Sequence, residues 1–313
     1  MQIFSAQSLF PGMEEELIND VFDRFGPTPR LCIEYAHEQA HLHDYKDKLR
    51  ETISELTIEH LERLFKDSRS LSMNAHSQKI CLINRKGDLP GQTVVTTITR
   101  FIEQRLGSQF RKMTRADQIC LYQRFAKVPD SSALAGILFE AAGQGQLQDG
   151  IKLDIMPMVR LSESRQGSLP QWHSGPLVNK LALDESRQQD LEEQIKINIP
   201  EPEVAEYGDG GLLSITANIL YLPQSTNQVA LDSFILFEKF LYIFHFAVGE
   251  KHDIKSGLVD WLGRCSGVPP MTHWRFVFVM EPNQHLTCPQ PRSLNLRKLQ
   301  PFSAVMTLEV MEV

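Results

Sequence analysis

The hydrophobic positions in the first part of the chain repeat at helical spacing. In LINDVFDRF, Leu17, Val21 and Phe25 share one helix face, and Gly26-Pro27 ends the segment. Two short runs rich in β-branched residues, KICLIN and TVVTTIT, flank a turn region with two glycines and predict a β-hairpin. The predicted helices span 17–25, 30–43, 45–67, 101–106 and 116–125, and the predicted strands span 79–84 and 93–99.

The second part of the chain combines helical and extended patterns. A break at Pro129, followed by the good N-cap residue Ser132, predicts a domain boundary between 1–129 and 130–313. ALAGILFEAAGQGQL predicts a helix that loses definition at Gly143. Residues of about 162–211 form a polar stretch that contains prolines. We predict that this stretch is a long and partly loose insertion with one short helical pattern, DESRQQDLEEQI. Predicted strands cover 151–161, 212–223, 275–282 and 302–310, with a hairpin from Ala230 onward and a helix over 254–265.

These patterns predict an α/β protein. The first domain is mainly helical with a small β-hairpin, and the second has a central mixed sheet with flanking helices. With 313 residues the chain is long enough for both domains to have a hydrophobic core.

The hairpin after Ala230 carries the strongest candidate chemistry. Asp232 opens its first strand, His245 lies in the second strand, and His252 follows just before a helix. A carboxylate at the head of one strand, beside polar groups on the next, is how metal-dependent nucleases place Mg²⁺ beside a phosphodiester. Glu140, on the preceding helix, is a further candidate if that helix points it toward the sheet.

Each of these residues also has a purely structural interpretation. Asp232 has the position of a residue that ends a turn and caps a strand. His245 alternates with phenylalanines, which is equally typical of a histidine in the core, and His252 has the position of a residue in a helix cap region. For Glu140 the structural alternative is an exposed helix glutamate.

The pentapeptide HEQAH offers a second site, of a different chemistry. His37 and His41 share a helix face at i and i+4 and can bind Zn²⁺, with Glu38 as a general base. No HxxGxxH extension supplies a third ligand, so a histidine-rich helix surface is the structural alternative. A zinc-dependent peptidase remains an alternative function.

Composition excludes several classes of protein. No run approaches 18 apolar residues, so no membrane contact is predicted. The five cysteines never form CxxC, which favours reduced thiols in the cytoplasm or nucleus. No P-loop sequence is present, so no nucleotide cofactor is expected.

The charge is unevenly distributed between the two predicted domains. Residues 1–129 carry 18 Lys and Arg against 17 Asp and Glu, whereas 130–313 carry 14 against 22, a balance of 14 − 22 = −8. Because phosphate contacts supply much of the affinity for nucleic acids, an acidic domain counts against tight nucleic-acid binding. It favours a protein partner instead.

Several short motifs resemble one family. FGPTPRLCIEYA, AGILFEAA, VALDSFILF, FLYIFHFAVGEKHDIKSGL, WRFVFVMEP, CPQP and FSAVMTLEV are similar to the Crinkler and retrotransposon-hot-spot-like proteins of fungi. The resemblance implies an NTPase-tail region over 1–129, winged-helix or lid-like, which in the family follows a P-loop NTPase core. It also implies a restriction-endonuclease-like domain over 130–313.

The resemblance also assigns roles to individual residues. The first-helix acid falls on Glu140, the metal-binding aspartate on Asp232 and the polar strand position on His245. The position of a catalytic lysine or threonine falls on Ala247, and a later histidine falls on His252. Since alanine cannot orient water and histidine is a poor Mg²⁺ ligand, the implied nuclease is weak or inactive.

The sequence therefore supports three functional hypotheses. The first is an intracellular Crinkler-like protein with a nuclease-like domain that acts by nucleic-acid or protein contacts, with Mg²⁺ as its cofactor if it is active. The second is the zinc peptidase. The third is a pure protein-interaction fragment of a larger NTPase.

Overall fold

A computed structural model gives the fold of two compact units, Met1–Leu138 and Phe139–Val313. No helix among its described residues is long and apolar enough to cross a membrane. The structure describes residues 15–28, 31–32, 38–61, 77–85, 93–127, 132–161, 170–174, 194–207, 213–223, 231–291 and 293–308.

The first unit is mainly helical, as predicted, and contains the predicted β-hairpin. Thr99 and Thr114 start two of its helices, and each hydroxyl accepts a hydrogen bond from the backbone amide three residues later. Phe25 is buried and packs edge-on against Tyr45 and Phe101. The elements are α1 (Glu15–Phe25), α2 (Gln39–Ser54), α3 (Ser77–Ile80), β1 (Cys81–Arg85), β2 (Thr93–Thr97), α4 (Arg100–Phe110) and α5 (Arg115–Phe125).

The predicted helix break near residue 44 is wrong. A single helix, α2, runs from Gln39 to Ser54 and buries Leu42, Leu49 and Ile53 on one face. No proline or glycine interrupts this stretch, so the apolar face continues past the predicted break.

The second unit is built around an eight-stranded mixed sheet. Its strand order is β6–β3–β13–β11–β10–β9–β8–β7, and a separate three-stranded sheet has the order β12–β5–β4. The mixed α/β fold predicted from the sequence is confirmed at this level. The elements are α6 (Ser132–Gln148), which begins in the first unit, β3 (Ile151–Pro157), β4 (Val159–Leu161), β5 (Gln171–His173), β6 (Ile195–Ile199), β7 (Glu203–Tyr207), β8 (Ile219–Pro223), β9 (Ser233–Phe237), β10 (Phe240–Ala247), α7 (Gly257–Leu262), β11 (Trp274–Met280), β12 (Thr287–Pro289) and β13 (Pro301–Val305).

The eight-stranded sheet has to curl. Its two edge strands, β6 and β7, are consecutive in sequence and are joined only by residues 200–202. Such a link spans at most about 14 Å. The edges of a flat eight-stranded sheet would be about 33 Å apart. The short link therefore brings the two edges of the sheet toward each other.

The segment 162–211, predicted to be a long and partly loose insertion, contains strands in its described part. This stretch supplies β5, β6 and β7, and the last two form both edges of the large sheet. Ile197 and Ile199 are buried, and the isoleucines of β6 alternate with polar residues, which is the period of a half-buried strand. Most of the helical pattern DESRQQDLEEQI lies outside the described residues.

Helices cover both faces of the sheet around β10. Phe246 packs against Phe139 of α6, with ring centroids 5.9 Å apart. Phe234, which pairs with Ile243, packs against Trp261 of α7 at 5.7 Å. Since successive residues of a strand face opposite sides, α6 and α7 lie on opposite faces. His245 is two residues from Ile243 and therefore lies on the α7 face.

Candidate functional site

The structure brings Asp232 and His245 together where β9 begins. Ser233 pairs with Phe244, so the preceding aspartate lies beside the following histidine. Oδ2 of Asp232 is 3.0 Å from Nδ1 of His245, and their side chains are only 18% and 21% exposed. Because most of each side chain is shielded from water, the charge of the carboxylate acts strongly on the imidazole.

The same carboxylate oxygen also caps strand β10. Oδ2 of Asp232 accepts a hydrogen bond from the backbone amide of Phe246 at 2.7 Å. The Nδ1 contact of His245 to this oxygen is close but poorly aligned, and Nδ1 has no well-aligned hydrogen-bond partner. Asp232 therefore binds the backbone of the neighbouring strand β10 and at the same time lies close to His245.

His252 extends the chain of polar groups by one residue. Its Nδ1 lies 3.2 Å from Nε2 of His245, and its Nε2 accepts the backbone amide of Gly249 at 3.3 Å. The ring of Phe278 lies edge-on against His245 at a centroid distance of 5.7 Å. Asp232, His245 and His252 thus contact one another in sequence and form a row of polar side chains, the Asp–His–His chain, and Phe278 packs against its central residue.

Burial and charge act differently on the two imidazoles. Burial has the largest influence on the pKa of His245 and lowers it, but the negative charge of Asp232, 3.0 Å away, outweighs burial and leaves the pKa raised. Burial, together with the neighbouring His245, lowers the pKa of His252 to about 4. His252 is therefore neutral at pH 7, and the first proton that the pair takes up goes to His245.

Glu140 is linked to Asp232 by hydrogen bonds from one side chain, Gln144. Nε2 of Gln144 donates to Oε1 of Glu140 at 3.0 Å and to the backbone carbonyl of Asp232 at 2.7 Å. Gln144 is fully buried. The helix α6 does pack beside the hairpin, as expected, but it holds the backbone of Asp232 from the face opposite His245.

Sequence reasoning missed Gln144 and Gly249. The i, i+4 spacing of Glu140 and Gln144 within a helix was the available signal, since such residues lie on one face. The prediction that α6 loses definition at Gly143 is wrong, because the helix continues to Gln148. Gly143 is instead needed for close packing, since a Cβ there would lie 2.1 Å from Cε1 of Phe246.

The donor set does not fit the Mg²⁺ site that the family resemblance implies. Magnesium prefers six oxygen ligands, and the Asp–His–His chain supplies one carboxylate. Nδ1 of His245 faces Asp232 and its Nε2 faces His252, so the three side chains do not converge on one point. Among the described residues, no group of three His, Cys, Asp or Glu side chains is arranged to hold a metal ion.

The position implied for a catalytic lysine holds a small buried residue. Ala247 is fully buried at the end of β10 and pairs with Met280. Lys251, in the following loop, is exposed and forms a β-bridge with Thr287. The strand position implied for a lysine is therefore occupied by a buried alanine.

The HEQAH motif is only partly within the described residues. His37 lies outside them. Oε2 of Glu38 lies 2.7 Å from Nδ1 of His41, and both side chains are 58% exposed. The described part of the motif thus forms a close contact between a carboxylate and an imidazole on the exposed surface at the start of α2.

Fold and site together define an α/β protein with a half-buried Asp–His–His chain at the end of a central strand pair. No family model, curated protein or solved structure matches this chain.

Proposed function

We propose that the second unit is a restriction-endonuclease-like domain of the Crinkler type that acts by binding and cleaves phosphodiesters weakly or not at all. The observation that carries the proposal is the placement of Asp232. It opens β9, lies 3.0 Å from His245 on β10, and is held by Gln144 of α6 at its backbone carbonyl. An acid at this place is what a metal-dependent nuclease needs.

The order of elements around the site supports the same proposal. The helix α6 precedes an antiparallel meander of β8, β9 and β10, and the crossover containing α7 leads to β11, which is parallel to β10. The helices cover opposite faces of this sheet. A helix on each face of a mixed sheet is the arrangement expected for the three-layer α/β core that the resemblance implies, and it supports the proposal.

The chemistry of the site supports a loss of cleavage. Oδ2 of Asp232 already accepts the amide of Phe246 and contacts His245. Ala247 is buried where a lysine is expected, and a neutral His252 with a pKa of about 4 is a weak base at pH 7. The described residues around Asp232 therefore supply neither the set of oxygen ligands nor the strong general base that rapid cleavage requires.

Cleavage is tested by incubating the purified chain with end-labelled DNA and RNA oligonucleotides in Mg²⁺ or Mn²⁺. The expected result is no turnover, or slow turnover that does not change in Asp232→Ala. Asp154→Ala is the matched control, because Asp154 is an exposed acid on β3, away from β9 in the sheet order. Robust cleavage that Asp232→Ala abolishes and Asp154→Ala preserves would reject the proposed inactivity.

Binding is tested by fluorescence anisotropy with the same oligonucleotides at two salt concentrations. Salt-sensitive binding identifies a nucleic-acid partner, because phosphate contacts release counterions. Absence of such binding would reject a nucleic-acid partner and leave a protein partner, which the balance of −8 over 130–313 favours. A solved structure that lacks the α6–hairpin–α7 core would remove the basis of the family assignment.

A further inference from the structure

The loop that carries Gly249 and His252 is fastened to the segment after β11. The amide of Thr287 donates to the carbonyl of Glu250 at 2.7 Å, and the amide of His252 donates to the carbonyl of Thr287 at 3.1 Å. Nε2 of Gln284 donates to the carbonyl of Gly249 at 2.8 Å. Residues 249–252 and 284–287 are therefore held together by hydrogen bonds that start next to the Asp–His–His chain.

The Gly249 amide fixes where the hydrogens of both histidines lie. A backbone amide can only donate, so Nε2 of His252, 3.3 Å away, has to be the bare nitrogen. The hydrogen of neutral His252 is then on Nδ1 and is donated to Nε2 of His245 at 3.2 Å. The hydrogen of His245 is consequently on Nδ1, beside Asp232. Each hydrogen along the chain points toward the carboxylate.

An additional proton cannot enter this arrangement without breaking one contact. If it binds Nε2 of His252, it meets the amide hydrogen of Gly249, and two donors face each other. If the proton binds Nε2 of His245, it faces the hydrogen on Nδ1 of His252. The hydrogen of His252 then has to move from Nδ1 to Nε2 of the same ring. Both routes place a hydrogen between His252 and Gly249.

We propose that the Gly249–His252 contact is an acid-released latch: uptake of one proton by the His245–His252 pair breaks the hydrogen bond from the Gly249 amide to Nε2 of His252. The device is independent of the proposed nuclease ancestry. It requires only the hydrogen-bond directions given above.

The surroundings of the pair favour proton uptake. Asp232 faces it from β9, and Asp253 faces it from the following loop, where Lys255 pairs with Asp253 at 2.9 Å. Strand β11 contributes the aromatic rings of Phe276 and Phe278. The carboxylates raise the pKa of His245, so release begins at a higher pH than the titration of a solvent-exposed histidine.

The latch is tested by amide hydrogen exchange of the full chain, followed residue by residue by NMR and corrected for the intrinsic pH dependence of exchange. Protection of the Gly249 amide is expected to fall by about five- to tenfold between pH 9 and pH 6, the factor for one lost hydrogen bond. The amide of Ile215, bonded to Ser266 at 2.8 Å, is the internal reference and should not change.

Two variants separate the latch from general loosening. His252→Phe removes the acceptor, so the Gly249 amide should be weakly protected at both pH values. Gly249→Ala keeps the amide, and a Cβ there meets His252 Nε2 only at an ordinary 3.4 Å, so the pH dependence should persist. Unchanged protection in the wild type, or an equal fall in His252→Phe, would overturn the latch. So would imidazole ¹⁵N shifts that place the hydrogen of neutral His252 on Nε2.

Discussion

Oδ2 of Asp232 lies 3.0 Å from Nδ1 of His245 and accepts the amide of Phe246 at 2.7 Å. One carboxylate oxygen thus continues the hydrogen bonding of β10 beyond the start of β9 and sets the charge of an imidazole. The same oxygen therefore affects both the stability of the strand pair and the protonation of His245. A substitution at Asp232 is informative only if it removes the negative charge beside His245 and keeps the hydrogen bond from the Phe246 amide, or the reverse.

Asp232→Asn separates them, because an amide oxygen can still accept from Phe246 but carries no charge. A histidine with a raised folded-state pKa adds stability that is fully present below its unfolded pKa and lost as pH rises through the folded pKa. The loss of unfolding free energy in Asp232→Asn is therefore expected to be larger at pH 5.5 than at pH 9. Urea denaturation at both pH values measures it, with Asp154→Asn as the control. Equal losses at the two pH values would contradict the charge effect.

His252 has the opposite pH signature. Its folded pKa of about 4 lies below the ordinary value of 6.5, so its contribution is present above pH 6.5 and is lost as pH falls toward 4. Because the imidazole is partly exposed, solvent screening reduces the full effect of the shift, and between pH 7 and pH 4 this residue is expected to account for a loss on the order of 1 kcal/mol. His252→Phe should flatten the dependence by that amount in urea titrations, and His43→Gln, which replaces an exposed histidine on α2, is the control. A variant as acid-sensitive as the wild type would refute the assignment.

Gln144→Leu tests the link between α6 and the hairpin. Gln144 is fully buried and donates to the carbonyl of Asp232 at 2.7 Å. Leucine leaves that carbonyl without its partner, and an unsatisfied buried acceptor costs about 1–3 kcal/mol. Thermal or urea unfolding measures the loss. Gln146→Leu is the matched control, since Gln146 makes an exposed bond to Thr307, and its effect should stay below about 0.5 kcal/mol. Similar losses in both variants would argue against a special role for Gln144.

Strand and helix positions followed from local sequence wherever the hydrophobic period was strong. The run from Ser233 to Ala247 is apolar and β-branched or aromatic, and it forms β9 and β10 as predicted. The isoleucines of β6 alternate with polar residues, which also predicts a strand, but the polar and proline-bearing residues on either side favoured a loop. That strand forms through pairing with β3, a partner distant in sequence, and local composition does not encode such a partner.

The site was predictable in part for a similar reason. The register of a short hairpin fixes which residues of its strands are neighbours, so Asp232 and His245 were expected on neighbouring strands. The position of His252 depends on a loop that is hydrogen-bonded to residues after β11. The positions of the hydrogens on the two imidazoles depend on the amide of Gly249. Neither feature leaves a pattern in the sequence. The roles assigned to Asp232, His245, His252 and Glu140 in catalysis stay predictions.

Gly143→Ala tests how closely α6 packs on β10. A Cβ at residue 143 would lie 2.1 Å from Cε1 of Phe246, whose ring packs against Phe139. Although alanine favours a helix over glycine by roughly 1 kcal/mol, overpacking of this kind costs about 1–3 kcal/mol or more, so the net effect should be destabilising. Phe246→Leu removes the clashing ring, and the double variant should be more stable than the two single losses added together. Urea unfolding of all four proteins gives this coupling directly. Additive losses would mean that α6 shifts to accommodate the methyl group, and the distance between helix and strand would then not be fixed by Gly143.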